Sequence, residues 1–245
     1  MLSPYLWSCL QNLRANLKFS AYLSIVYRSA SENQTEVTLK TLILQGEGEQ
    51  LDFKNKISSC EKIAKTLVAF ANSKGGKLLV GVADNGVIKG VKNEDEERYM
   101  LQRAGHLYCR PAIDLRFDEI YVDEKLVLLA EVAESDTKPH YALGEDQKWW
   151  VYVRVKDKSI LAGKVVVDVL HRGSQPSGIL ISYTEKEKEL LDYIHNHPKT
   201  HLPELCRYLN LSRRKTQRIL VNLIIAGVID VHSTQGEEYY TEKPT

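Results

Sequence analysis

Apolar residues recur at three- and four-residue steps from Ile57 to Asn72, where Ile57, Cys60, Ile63, Ala64, Leu67, Val68 and Ala71 form one side of a helix. That side requires a buried environment. Ser58 followed by Glu61 fits a capping box, which puts the helix start near residue 58. Gly75 and Gly76 supply the positive φ that ends a helix, and Lys77–Val82 is a short apolar run suited to a covered strand. Asn85-Gly86 favours a two-residue hairpin turn, with Val87–Val91 returning as the partner strand. Upstream, Leu51–Lys54 reads as a strand, and Val37–Leu44 is apolar at helical spacing before the acidic turn Gly46–Glu49.

Downstream, Asn93–Tyr108 begins acidic and ends basic, a polarity that suits a helix macrodipole. Alternation at Ile113, Leu115 and Phe117, then Ile120–Val122 and Lys125–Val132, predicts strands. Trp149–Val155 predicts one more, with Val151, Val153 and Val155 on one face and Trp150, Tyr152 and Arg154 on the other. Lys164–His171 is a short helix or strand, and Arg172–Gly178 has the composition of a hinge. Three helices follow: Thr184–Asn196 with a Thr184/Glu187 capping box, Leu202–Leu209, and Ser212–Ala226 capped by Ser212. Gly227 closes the third, and Val228–Val231 with Glu238–Thr241 forms a hairpin turning at Gln235-Gly236. Before all of these, Tyr5, Leu6, Trp7, Leu10, Leu13 and Leu17 form a helical stripe, Phe19–Tyr27 extends it or forms a strand, and Ser29–Thr35 is a linker. The expected division is an N-terminal extension over 1–36, a first domain over 37–171, a linker over 172–183 and a second domain over 184–245. The extension is either an appended packing or dimerisation element or upstream sequence from an overextended start. A signal peptide fits it poorly, because its basic residues follow its apolar ones.

Composition narrows the classes. Thirty-three basic minus 32 acidic residues leave +1, so any attraction to a polyanion comes from local patches. Cysteines at 9, 60, 109 and 206, without a Cys-x-x-Cys pair, argue against a zinc ribbon and a disulfide scaffold and suit a reducing cytoplasm. No apolar run approaches membrane-spanning length, Arg14 and Lys18 interrupting the one candidate.

Candidate chemistry falls in three places. Glu47, Asp52 and Asp84 lie at strand ends or turns and could converge on Mg²⁺ or Mn²⁺, with Lys54 beside a phosphate; equally, acids at turns are ordinarily solvated. Arg154 among aromatics, with Lys148, Lys156 and Lys158 nearby, could stack bases and hold phosphates, or this strand simply covers a core with a lysine-rich edge. The third C-terminal helix carries Arg213, Arg214, Lys215 and Arg218 in a stretch, Cys206 to Ile229, without an acid. Arg218 or Gln217 could reach base edges while Arg213, Arg214 and Lys215 bind phosphates; the alternative is a protein-docking module. His195, His197 and His201 around Pro198 are either metal ligands or plain surface residues. Ser73-Lys-Gly-Gly-Lys77 lacks the full phosphate-loop spacing, and its glycines end a helix, so no ATP is expected.

The order Glu47, Asp52-Phe-Lys54, Ala69-Phe-Ala-Asn-Ser-Lys-Gly-Gly76, Gly81-Val-Ala-Asp-Asn-Gly86, Lys138-Pro-His-Tyr141 and Tyr152-Val-Arg154 resembles the Schlafen-type AlbA-like domain over roughly residues 38–170. That resemblance implies an α+β fold with a mixed sheet. In Schlafen ribonucleases three carboxylates at the matching places form the nuclease site, which points to Glu47, Asp52 and Asp84 holding Mg²⁺ or Mn²⁺ with Lys54 assisting. Two departures stand out: Asp52 replaces the family's usual Glu, and one copy of the pattern is present where the nuclease core has two lobes. A homodimer would supply the second. The C-terminal order helix, helix, turn, helix, hairpin, with Leu211-Ser-Arg-Arg-Lys-Thr216, Arg218, Leu220 and Leu223, resembles a winged helix-turn-helix. Two functional expectations follow. The favoured one is a non-enzymatic nucleic-acid-binding protein acting as a DNA-binding transcriptional regulator; the other is a metal-dependent endoribonuclease cleaving tRNA or structured RNA.

Overall fold

The computed structural model describes residues 36–173 and 184–244. The predicted stripe Tyr5–Leu17, the segment Phe19–Tyr27, the linker Ser29–Thr35 and most of the hinge Arg172–Gly178 lie outside the described residues.

Residues 36–45 form helix α1. Strand β1 (Leu51–Lys54), helix α2 (Cys60–Asn72) and strand β2 (Gly76–Val80) then build a β-α-β unit whose two strands run parallel, with Asp52 opposite Leu78. Strands β4 (Arg116–Val122) and β5 (Lys125–Val132) complete a mixed sheet in the order β1-β2-β5-β4, β5 lying antiparallel to both neighbours. Period-two alternation gives this sheet two buried faces. Leu78, Val80, Leu128 and Ala130 meet Ile63, Leu67 and Phe70 of α2. Leu51, Phe53, Leu79, Val127 and Leu129 meet Leu39 of α1. The near-continuous apolar runs of β2 and β5 are thereby explained, since helices cover both sides.

Helix α2 starts slightly later than its pattern predicts. Ser59, not Ser58, is the cap, its Oγ accepting from Lys62 N at 3.2 Å and donating to Glu61 Oε2 at 2.7 Å. At its far end Gly75 has φ +70, and a Cβ there would stand 2.7 Å from the Val132 carbonyl oxygen. A turn forms here, but centred on Asp84-Asn85 and not on Asn85-Gly86: Gly86 N donates to Ala83 O at 2.8 Å and Gly86 alone takes positive φ (78), and the predicted return strand Val87–Val91 shrinks to a single Val82–Ile88 bridge. Both edges of β2 are already taken by β1 and β5.

Helix α3 (Glu94–Leu107), capped by Asn93, places Leu101 and Ala104 in the core with α2. Strands β3 (Cys109–Arg110), β6 (Tyr141–Leu143) and β7 (Trp149–Trp150) form a small antiparallel sheet, and β8 (Tyr152–Val155) pairs with β9 (Lys158–Leu161). The predicted single strand Trp149–Val155 is therefore two strands in different sheets. They part at buried Val151, whose carbonyl accepts from Ala162 N at 2.9 Å.

Lys164–Gly173 is helical (α4) and contains Arg172, which was predicted in the hinge and instead donates to Asn222 Oδ1 at 3.1 Å. Helices α5 (Glu185–Asn196), α6 (Leu202–Leu209) and α7 (Arg213–Ile225) precede the hairpin β10 (Ile229–Thr234) and β11 (Glu237–Glu242). Leu190, Ile194, Leu205, Leu209, Leu220, Ile229 and Tyr240 share one core, to which α4 contributes Val165. The Thr184/Glu187 capping box is formed, whereas Ser212 sits at the α7 cap without a side-chain bond. Asn210, at φ 52, makes the tight turn into α7, and Thr200 exchanges backbone bonds with Tyr240 at 3.3 and 2.9 Å, adding a third short rung to the hairpin. Among the described residues no helix is long and apolar enough to cross a membrane.

Candidate functional site

The turn after α1 brings Glu47 back alongside β1, where Glu47 Oε1 accepts from Phe53 N at 2.8 Å. In β1, Leu51 and Phe53 point to the α1 side, so alternation sends Asp52 to the opposite face, where it is 4 % exposed. There it meets Arg154 of β8. The guanidinium donates from Nη2 to Asp52 Oδ1 at 3.0 Å and to Leu51 O at 3.2 Å, and from Nε to Gly48 O at 3.0 Å. It also lies 5.0 Å from the Phe70 ring centroid. Lys54 Nζ stands 2.7 Å from Asp52 Oδ2, a close ionic contact whose angle does not make it a hydrogen bond, while donating to Phe53 O at 2.7 Å. Burial, together with the neighbouring Asp52 carboxylate, raises the Glu47 carboxyl above its ordinary range, against the opposing Phe53 N–H and Lys54.

This arrangement revises two sequence expectations. Arg154, expected to hold phosphates, is buried and bound to one carboxylate and two carbonyls, so it is an internal counter-ion. The three-carboxylate cage is not assembled: Glu47 and Asp52 adjoin, Asp52 is neutralised by Arg154 and Lys54, and Asp84 is exposed in the turn beyond β2. Among the described residues no three His, Cys, Asp or Glu side chains are grouped to hold a metal ion, and that holds for His195, His197 and His201. The donor set therefore does not fit Mg²⁺ or Mn²⁺. The one sequence signal for the missed ion pair was an arginine inside an otherwise apolar strand, a residue that must find an anion if the strand is buried. Lys156 is exposed in the β8–β9 turn at φ 54.

The second locus is α7. Arg213, Arg214, Lys215 and Arg218 are exposed, and none has a side-chain hydrogen bond or ion pair among the described residues. At 3.6 residues per turn, Arg214, Lys215 and Arg218 share about a third of the helix circumference, opposite the buried Leu220, Leu223 and Thr216. Gln217, expected to reach base edges, points into the core and is 7 % exposed. It falls on the arc shared with Leu220 and Val221, which excludes it from a groove.

Among curated proteins the sequence has no significant match. Of solved structures, the DIP2311 protein of Corynebacterium diphtheriae is 16 % identical with a TM-score of 0.40, over 59 % of this chain and 34 % of that one. This chain thus spans about a third of that protein's length. The N-terminal domain of a RecG-related protein of Nitrosomonas europaea is 19 % identical with a TM-score of 0.38, over 60 % of this chain and 97 % of that one. The family model described as Schlafen, AlbA_2 matches residues 47–162, the stretch from Glu47 to just past β9.

Proposed function

We propose that the chain binds nucleic acid without cleaving it, and that α5–α7 with the β10–β11 hairpin act as a winged helix-turn-helix on duplex DNA, in the manner of a transcriptional regulator. The observation that carries this reading is the exposed row Arg214, Lys215 and Arg218, none of them committed to an internal anion, while Arg213 opens the same helix from its other side. A helix of this kind fits the major groove, with its cations on phosphates and Arg218 nearest the base edges. The Schlafen, AlbA_2 match over residues 47–162 supports the same class of partner. In a homodimer, two α7 helices would address half-sites about one turn of DNA apart. Endonuclease chemistry at Glu47, Asp52 and Asp84 would require Asp52 to leave Arg154, and nothing in the site favours that exchange.

The test is anisotropy of a labelled duplex titrated with the full chain at several salt concentrations. Arg214→Ala with Lys215→Ala is expected to weaken binding and to flatten the log–log salt slope by roughly one unit per lost phosphate contact. An unchanged slope overturns the role of α7.

A further inference from the structure

We propose that the outer face of the β3-β6-β7 sheet binds unpaired bases of a single-stranded nucleic acid. This rests on the nucleic-acid reading above but assigns a separate surface and a separate strand state. Register fixes which side chains share a face. Cys109 pairs with Ala142 and Ala142 with Trp150, while Arg110 pairs with Tyr141 and Leu143 with Trp149. Cys109 and Ala142 are buried in the core with α2, so Arg110, Tyr141, Leu143 and Trp149 line the opposite, outer face.

That face has the chemistry of a stacking platform. Trp149 is 37 % exposed, a high value for so large an apolar ring, and the Arg110 guanidinium lies 6.0 Å from its centroid. Arg110 is exposed and makes no hydrogen bond or ion pair among the described residues, so its charge is available to a phosphate. Lys148, adjacent in sequence, turns instead to Asp146 at 3.9 Å, on the Trp150 side of the strand. The Asp146 carboxylate is already occupied, accepting from Trp150 Nε1 at 3.0 Å and from Lys148 N at 3.2 Å, which holds the β6–β7 turn in place. An open aromatic ring with an unpaired guanidinium beside it matches a base and its phosphate. A duplex keeps its base faces stacked internally and cannot use the ring.

The experiment is a titration of the full chain with oligothymidylate, read by tryptophan emission and by anisotropy of a labelled copy, with a duplex run in parallel. Wild-type emission is expected to be quenched on binding. Trp149→Ala should abolish most of the quenching and weaken single-strand binding roughly 5- to 150-fold, the range set by stacking one base on an aromatic ring. Trp149→Phe should retain most of the affinity, and Arg110→Ala should weaken binding and lower its salt slope by about 0.7. Duplex binding should be unaffected by Trp149→Ala and reduced by Arg214→Ala with Lys215→Ala. Unchanged oligothymidylate affinity in Trp149→Ala and Arg110→Ala, with duplex binding intact, overturns this surface alone. A change in sedimentation without a change in affinity also overturns it, assigning the face to a second copy. No binding to either polynucleotide overturns both readings.

Discussion

Truncating Arg154 to alanine removes a side chain that is 2 % exposed from a carboxylate that is 5 % exposed, and so strands a charge in the interior. Breaking such a pair from one side typically costs about 3–5 kcal/mol, because the remaining ion keeps its desolvation penalty. Here the same substitution also leaves the Gly48 and Leu51 carbonyls without that donor and removes the cation from the face of Phe70. Lys54, 2.7 Å from Asp52 Oδ2, offsets part of the loss and places the expected value near the lower end, about 3 kcal/mol. That is a large fraction of the roughly 5–15 kcal/mol that holds an ordinary domain folded. Urea unfolding of Arg154→Ala, Asp52→Leu and the pair Arg154→Met with Asp52→Leu forms the test. The paired variant, with both charges gone and the volume filled, should be more stable than the single Arg154 variant, remaining below wild type only by the two carbonyl bonds that methionine cannot make. Arg154→Lys should fall between, since an ammonium cannot serve one carboxylate and two carbonyls with a planar fork. If Arg154→Ala costs less than about 1 kcal/mol, the guanidinium is not the buried counter-ion described, and the case against a free Asp52 fails with it.

Glu47→Gln keeps an acceptor for Phe53 N–H and removes a carboxyl whose pKa is raised in the fold. The folded chain therefore binds that proton more tightly than the unfolded chain. Wild type should lose stability relative to the variant as pH rises from the ordinary carboxylate range through the raised Glu47 value, and urea midpoints measured at pH 4 and pH 7 should diverge in that direction. Gly75→Ala forces a side chain onto φ +70 with its Cβ 2.7 Å from Val132 O and 2.8 Å from Glu134 N, and should cost roughly 1–3 kcal/mol or more by the same measurement. A Gly75→Ala midpoint equal to wild type would mean that this turn relaxes freely.

Several elements were legible because their determinants are local. Helix α2 announces itself through Ile63, Leu67 and Ala71 together with the paired glycines after it, and the Thr184/Glu187 box lies within one turn of the helix it starts. The misreadings have tertiary causes. Alternation is unbroken through Trp149–Val155, yet the chain changes sheets at Val151 because Ala162 claims its carbonyl. Asn85-Gly86 marks the neighbourhood of a turn that centres one residue earlier, on Asp84-Asn85, and pairing of Val87–Val91 was decided by the prior occupation of both β2 edges. At the candidate site, the positions of Glu47 and Asp52 were visible and their state was not. The partner of Asp52 comes from 102 residues further along, where spacing carries no information about contact. Gln217 failed for a simpler reason, since a glutamine amid Arg214, Lys215 and Arg218 looks solvent-facing until the helix is rotated against Leu220.

The reach of Arg154 back to β1 also dictates where this polypeptide can be cut. A fragment stopping at Trp150 would keep the four-stranded sheet and both of its covering helices, yet would enclose an acid with no guanidinium opposite it. A piece that keeps this ion pair must run past Arg154, and through Leu161 if the β8–β9 ribbon is to travel paired with the sheet it neutralises.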